Sequence, residues 1–281
     1  MKRIEQVVVV LFVFLVCLVV VLLYSNGRSS KTYVTAHVKG GFANRIFQIL
    51  AGLQYAEKHK KQFVLCKNYI DKNSHEPDDL YYSIQRLFPN IPIIETLENI
   101  TVLDYTEKQF EYVNPPYIQG NVLLRGVFQS EKNFPSRLPS VRTSYYPNVY
   151  FLHIRGGDYL QKENANHYIP LESYYKRCIA HILEQSPNAR FLVCTNDKPY
   201  ANKILQSLPI HYTISEKVSA YDTLVEMSNC CGGICANSSL SWLGAFFQRQ
   251  PRGILCMPSK WIHTTDNTDD LYPVWATRVK V

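Results

Sequence analysis

The sequence is short of charge, and what charge it has forms no runs. Asp, Glu, Lys and Arg make up 19% of the 281 residues, and the net charge is +7. No Lys/Arg run of the kind that marks a nucleic-acid arm is present, so no nucleic-acid partner is expected. The surplus reads as an ordinary basic surface, with an anionic ligand or a membrane surface as the other use for it. There is no low-complexity tract and no internal repeat. No G-x-G-x-x-G follows a strand, which argues against a hydride-transfer enzyme on a dinucleotide. Cys230-Cys231-x-x-x-Cys235 has no second C-x-x-C and no nearby His, so a tetrahedral metal shell is not specified.

Apolar and aromatic residues are plentiful. The hydrophobic share is 46%, with 20 Tyr and 13 Phe, enough for a sizeable core and against disorder. Beyond the first thirty or so residues, roughly 250 remain, which fits one large α/β domain or two small ones.

The N-terminus is the clearest compositional feature. Val7 to Leu23 is an unbroken apolar run of seventeen residues, extended by Tyr24. At ~1.5 Å per residue it reaches ~26 Å, enough to cross a thin bilayer. It exceeds a secretory apolar segment, and Tyr24-Ser25-Asn26-Gly27 is a poor cleavage site. An uncleaved anchor is therefore expected over residues 7–24, with a cytosolic tail at 1–6 and a polar stem at 25–32. Lys2 and Arg3 before the run favour a cytosolic N-terminus by the positive-inside rule, and the short span suits early-secretory membranes.

Of eight cysteines, Cys17 lies in this run, and the other seven would face an oxidising lumen. Being odd in number, they would leave at least one unpaired or bonded between chains. Two sequons occur, at Asn99 and Asn237. The first reads as a surface glycan site. The second falls in a turn near the expected active site and is not expected to be used.

From Thr32 the pattern alternates. Tyr33–Val38 reads as a strand, Ala43 to His59 as a helix with one apolar stripe, and Phe63–Cys66 as a strand. Residues 67–120 are less regular and are assigned to acceptor loops. Asn121–Val127 is a strand, and the Pro-rich 135–148 segment is the best linker. A second alternating unit follows, with strands near 149–154, 190–195, 211–214, 233–236 and 253–257. Helices separate them, near 171–184, 201–208, 221–227 and 241–248. This alternation implies a parallel sheet in each half, with ligands at the carboxyl ends of the strands. The halves are placed at 33–140 and 149–281.

Four segments follow predicted strands. Gly40-Gly41-Phe42-Ala43-Asn44-Arg45 offers close backbone approach and a helix start, or simply a turn. His153-Ile154-Arg155-Gly156-Gly157-Asp158-Tyr159 points His153 and Arg155 to one side. The Arg155 fork suits a diphosphate, and an Arg155–Asp158 structural pair is the alternative. In Cys194-Thr195-Asn196-Asp197 the carboxylate can accept two guanine N–H bonds or cap the next helix. Asn237-Ser238-Ser239-Leu240-Ser241-Trp242 makes an anion site at a helix start, or a plain Ser239 cap.

Taken in order, these segments, with Gly126-Val127-Phe128-Gln129-Ser130-Glu131-Lys132-Asn133-Phe134 between the first two and Glu226-Met227-Ser228-x-Cys230 before the last, resemble glycosyltransferase family 11, the α-1,2-fucosyltransferases. The likeness runs from about residue 36 to 262. It implies a GT-B-like fold of two Rossmann-like halves facing a cleft, acceptor side first and donor side second. It implies GDP-fucose as donor, inversion at the anomeric carbon, no required metal or other cofactor, and a glycan acceptor. Arg155 matches the diphosphate contact, and Ser238 and Ser239 the phosphate-holding serines. His153 and Asp197 match positions near guanine and ribose, and Asn44 matches the Asn of the glycine loop; Gly41 and Asn237 belong to the same donor set. Three positions depart from the family: Gly156 replaces a second Arg, Arg45 a Gln, and Leu243 a second Trp. Arg45 or Arg125 would then supply the lost charge.

Breaking a sugar–phosphate bond without metal needs fixed cations and N–H donors on the leaving diphosphate. Arg155 and the Ser238–Ser239 turn fit that need. Glu131, Asp158 and Asp222 are candidates for the base that takes the acceptor proton. The expectation is a single-pass type II Golgi enzyme, catalytic part luminal, moving fucose to the 2-hydroxyl of a terminal galactose. Two rivals stand beside it: transfer to another linkage or a protein acceptor, and a non-catalytic glycan-binding membrane protein.

Overall fold

Alternating bulky residues make residues 149–154 a strand that faces two cores at once. Tyr150, Leu152 and Ile154 pack into one buried cluster, and Phe151 between them packs into another. The computed structural model describes residues 15–16, 31–71, 80–104, 110–248, 253–264 and 267–281. The expected tail, anchor and stem lie outside these, except for Leu15 and Val16, which are helical and exposed, and for Lys31 and Thr32. Among the described residues no helix is long and apolar enough to cross a membrane.

The chain runs β1 (Tyr33–Ala36), α1 (Phe42–His59), β2 (Gln62–Phe63), β3 (Leu65–Cys66), a 3-10 turn (Lys67–Tyr69), α2 (Leu80–Leu87), β4 (Ile93–Ile94), β5 (Ile100–Asp104) and β6 (Asn121–Arg125). It continues with β7 (Tyr146–Ile154), α3 (Glu172–Gln185), β8 (Arg190–Thr195), α4 (Lys198–Leu205) and β9 (Tyr212–Ile214). The last elements are α5 (Ala220–Asn229), β10 (Cys230–Ile234), α6 (Ser239–Phe246), β11 (Leu255–Pro258) and β12 (Thr277–Val279).

Two parallel sheets carry the fold. The first has the order β2-β1-β6-β5, and the second β12-β11-β10-β7-β8-β9. Counted from β7, the second sheet reads 3-2-1-4-5-6, the doubly wound order of dinucleotide folds. The α/β architecture with a parallel sheet in each half is as expected. The irregular 67–120 stretch contains α2, β4 and β5, which the sequence pattern left out.

The two sheets share a core. Twelve of the eighteen residues of α1 are buried, too many for a helix with one wet face. It lies between its own sheet and α6, where Phe47 meets Trp242 edge-on at 4.9 Å between ring centroids. Phe134, Phe246 and Trp275 complete this aromatic seam. Tyr33–Val281 accordingly forms one compact unit, and the Pro-rich stretch expected as a linker does not divide it into two.

All seven cysteines of this unit are buried free thiols, so no disulfide joins them. Burial pushes the Cys194, Cys230 and Cys235 thiols upward, which keeps the reactive thiolate scarce.

Candidate active site

The strand order of the second sheet reverses between β7 and β10, which opens a crevice at their carboxyl ends. Two loops line it, residues 155–159 after β7 and 235–239 after β10. The residues after β8 brace the first loop. Gly156 N–H donates to Asn196 Oδ1 at 3.0 Å, and Gly157 N–H donates to Asp197 Oδ2 at 3.0 Å. Gly157 sits at φ +61°, a conformation that favours glycine. A Cβ on Gly156 would lie 2.8 Å from Asp197 Cβ and 2.9 Å from a Tyr200 ring carbon. The second Arg of the family pattern therefore has no room here, because Asp197 and Tyr200 fill its space.

Both oxygens of the Asp197 carboxylate accept backbone N–H groups. Its Oδ1 accepts Tyr200 N–H at 3.0 Å as the cap of α4, while its Oδ2 holds Gly157. The cap is one of the two uses that the sequence offers this carboxylate.

Arg155 is three-quarters buried. Its terminal nitrogen donates to Asp158 Oδ1 at 2.7 Å, and its guanidinium lies 5.1 Å over the Tyr159 ring. Its Nε is buried with no hydrogen-bond partner. Neutral donors buried in this way cost ~1–3 kcal/mol, and a charged group costs more, so the nitrogen awaits an acceptor. His153, one alternation earlier, is buried, and its Nδ1 also lacks a partner. Burial, with the Arg155 charge second, pulls the imidazole down to about 3, so it is neutral at pH 7.

Tyr159 ties the two loops together. Its hydroxyl donates to the Asn237 carbonyl at 3.3 Å, and burial keeps the phenol protonated. Sequence reasoning quoted this residue but gave it no task; a ring four positions after the arginine was the available signal. The Asn237 amide is buried and donates to His167 O at 2.8 Å and Trp261 O at 2.9 Å. This leaves no access for a glycan at that sequon, whereas Asn99 is exposed. Ser238 starts α6 without a side-chain cap, and Ser239 is half-buried. Ser241 turns inward onto the Ala236 and Ser238 carbonyls. The turn that carries Ser238 and Ser239 is thus tied through Tyr159 to the loop that carries Arg155.

The glycine loop lies at the carboxyl end of β1. Gly40 has φ +82°, and Gly41 precedes α1 in extended geometry. Asn44 Oδ1 accepts Gln129 Nε2 at 2.8 Å, which joins the first motif to the 126–134 segment. Phe128, beside Gln129, is held at φ +58°, a costly backbone state for a bulky residue. Gln129 is a second residue that the sequence motifs contain but give no role. Arg45 is fully buried, with Nε on Gly40 O at 2.6 Å and a terminal nitrogen on Asp71 O at 2.9 Å. It is a structural pin and does not replace the missing charge.

The remaining acids sit in other networks. Glu131 Oε2 accepts the Trp275 indole N–H at 3.0 Å, on the seam between the sheets. Ser219 caps α5 by accepting the Asp222 N–H and donates its hydroxyl to the Asp222 carboxylate, which pairs with Arg86 at 3.6 Å. The two sheets meet at their carboxyl ends, where Phe42 at the start of α1 touches Tyr221 at the start of α5. Arg86 lies 3.9 Å over the Tyr221 ring at this junction.

No family model matches the chain. It is 27% identical to the alpha-1,2-colitosyltransferase of Escherichia coli over 291 aligned positions, covering 88% of this chain and 99% of that protein. It is 29% identical to the O-antigen biosynthesis glycosyltransferase WbnK of Escherichia coli over 119 positions, 41% of this chain and 39% of that one. Among solved structures, the fucosyltransferase NodZ from Bradyrhizobium superposes with a TM-score of 0.47 at 9% identity, over 77% of this chain and 93% of that one. The chain is thus similar to a glycosyltransferase over most of its length.

Proposed function

We propose that this chain is an inverting, metal-independent glycosyltransferase of GT-B-like architecture. It moves fucose from GDP-fucose to the 2-hydroxyl of a terminal galactose-type acceptor. The observation that carries this reading is the unpartnered, buried Nε of Arg155 at the switch point, beside the first turn of α6. A diphosphate satisfies both at once. In the reaction the bond from the sugar C1 to the diphosphate oxygen breaks, and the electron pair leaves with the diphosphate. Arg155 and the Ser238–Ser239 amides hold that charge. The acceptor oxygen bonds C1 from the opposite face and gives its proton to a carboxylate.

Asp158 is paired with Arg155 and is assigned to orient it. Glu131, fixed through Oε2 by Trp275, is retained as the proposed base. Gly41, Asn44 and His153 complete the donor set. Asp197 acts on the donor through the loop that it braces. The apolar run at 7–24 is proposed as a type II anchor in the Golgi membrane, with residues after the stem luminal.

The likeness to a colitosyltransferase favours a second donor reading. Colitose is fucose without its 3-hydroxyl, so one site can serve either sugar. The test is a transfer assay on the full chain with GDP-fucose and with a colitose-bearing donor. It uses a panel of galactosides, with chelator present and Arg155→Ala alongside. Chelator-resistant transfer that falls ~10²–10³-fold in the variant is expected. Glycan binding without turnover of either donor would overturn the reading.

A further inference from the structure

A recess outside the Arg155 crevice is lined by none of the donor residues. It has a volume of about 500 Å³, within the range of small-molecule sites, and is walled by His37, Lys67, Asn68, Ile70, Asp71 and Glu95. Three strand ends build it. His37 extends β1, with its N–H on Leu124 O at 2.8 Å. Val38 bridges to Ile70, and Asp71 N–H returns to Val38 O at 2.9 Å, which pins the chain after the 3-10 turn. Glu95 follows β4, and its carbonyl accepts the Cys66 thiol at 3.4 Å. Lys67 and Glu95 form an ion pair across the rim.

The lining selects its ligand by chemistry. Only Ile70 is apolar, so a lipid or other apolar molecule finds little to bury. The charges around it are mixed in sign: Lys67 is paired with Glu95, and Arg125 and Lys39 stand against Asp71 around His37, so no one sign dominates. Burial first, then Arg125 and Lys39, lowers the His37 pKa, outweighing Asp71. The neutral ring keeps one donor and one acceptor nitrogen. Among the described residues, no three His, Cys, Asp or Glu side chains are grouped to ligate a metal ion. Mixed donors and acceptors of both signs match hydroxyl groups, each of which donates and accepts.

The geometry points to this recess as the acceptor subsite, which takes one pyranose ring of a neutral glycan with its hydroxyls on His37, Asn68, Asp71 and Glu95. This inference rests on the glycosyltransferase reading above. The placement agrees with it. Arg45 links the Asp71 carbonyl to Gly40, and the Phe42–Tyr221 contact sets the carboxyl end of β1 beside that of the donor sheet.

The test uses the full chain and neutral methyl glycosides (galactoside, glucoside, mannoside and N-acetylglucosaminide). Binding is followed by saturation-transfer NMR, with GDP affinity and acceptor KM measured in parallel. Asn68→Ala and Glu95→Gln alter exposed residues, so both variants fold. Each is expected to weaken glycoside binding and raise acceptor KM about tenfold or more, with GDP affinity unchanged. A wild-type chain that binds none of the glycosides, or variants that bind them as well as wild type, would overturn the inference. Wild type that fails to bind GDP would sink the donor reading, while glycoside binding lost in the variants would still uphold the recess as a sugar site.

Discussion

Arg155 and Gly156 show how one residue's chemistry depends on its neighbour's size. Gly156 leaves room for Asp197 and Tyr200 to pack against the loop, and that packing sets where Arg155 points. Gly156→Arg, which restores the family pattern, is therefore expected to destabilise the fold by ~1–3 kcal/mol through overpacking. The thermal midpoint should fall, with no gain in GDP affinity; an unchanged midpoint would contradict the packing account. His153 gives a pH prediction. The fold holds its imidazole neutral down to about 3, whereas the unfolded chain takes up the proton near 6.5. Between those values the unfolded state binds the extra proton, so stability is intact above 6.5 and falls as pH drops below it. The slope approaches ~1.4 kcal/mol per pH unit for this group. His153→Gln should flatten the Tm profile between pH 6.5 and 5, and an unaltered slope would count against a neutral buried His153.

At the scale of elements, the loops after β7, β8 and β10 act as one brace. Asp197→Ala removes both a helix cap and the Gly157 anchor, and should cost ~1–3 kcal/mol in urea unfolding. Because this carboxylate works through the loop, GDP and UDP affinities should fall by the same factor. A selective loss of GDP would mean that Asp197 reads the base. Much of this level was legible in the sequence. The apolar stripe of α1 and the Phe-Leu-Val-Cys run of β8 place those elements within a residue. Where local pattern and tertiary packing diverge, the reading slipped. β10 begins three residues earlier than expected, because Cys-Cys-Gly-Gly has little strand preference. It forms there because the Tyr150 and Phe151 rings fill the space over Gly232 and Gly233. β4 has two residues, too few to show any period. α4 starts at Lys198 because Asp197 caps it and Pro199 sits in its first turn. The site motifs were legible as a set, while the partners of Asp197, Arg45 and Glu131 depend on packing that no local pattern encodes.

At the scale of the molecule, the aromatic seam makes residues 33–281 one cooperative body. Trp242 is buried against Phe47, Phe134 and Phe246, and its indole N–H donates to Leu271 O at 2.8 Å. Trp242→Ala should cost ~3–5 kcal/mol and lower a single unfolding transition. Two separate transitions in the wild type would show instead that the halves fold independently. At the start of α1, Phe42 meets Tyr221 at the start of α5 edge-on, a second contact between the two halves. The central claim is that Arg155 at the switch point holds a nucleotide diphosphate. Calorimetric titration of GDP and of guanosine into wild type and Arg155→Ala tests it most directly. The account predicts that the GDP Kd rises tenfold or more in the variant while guanosine binding stays the same; equal GDP affinity in the two proteins would contradict it.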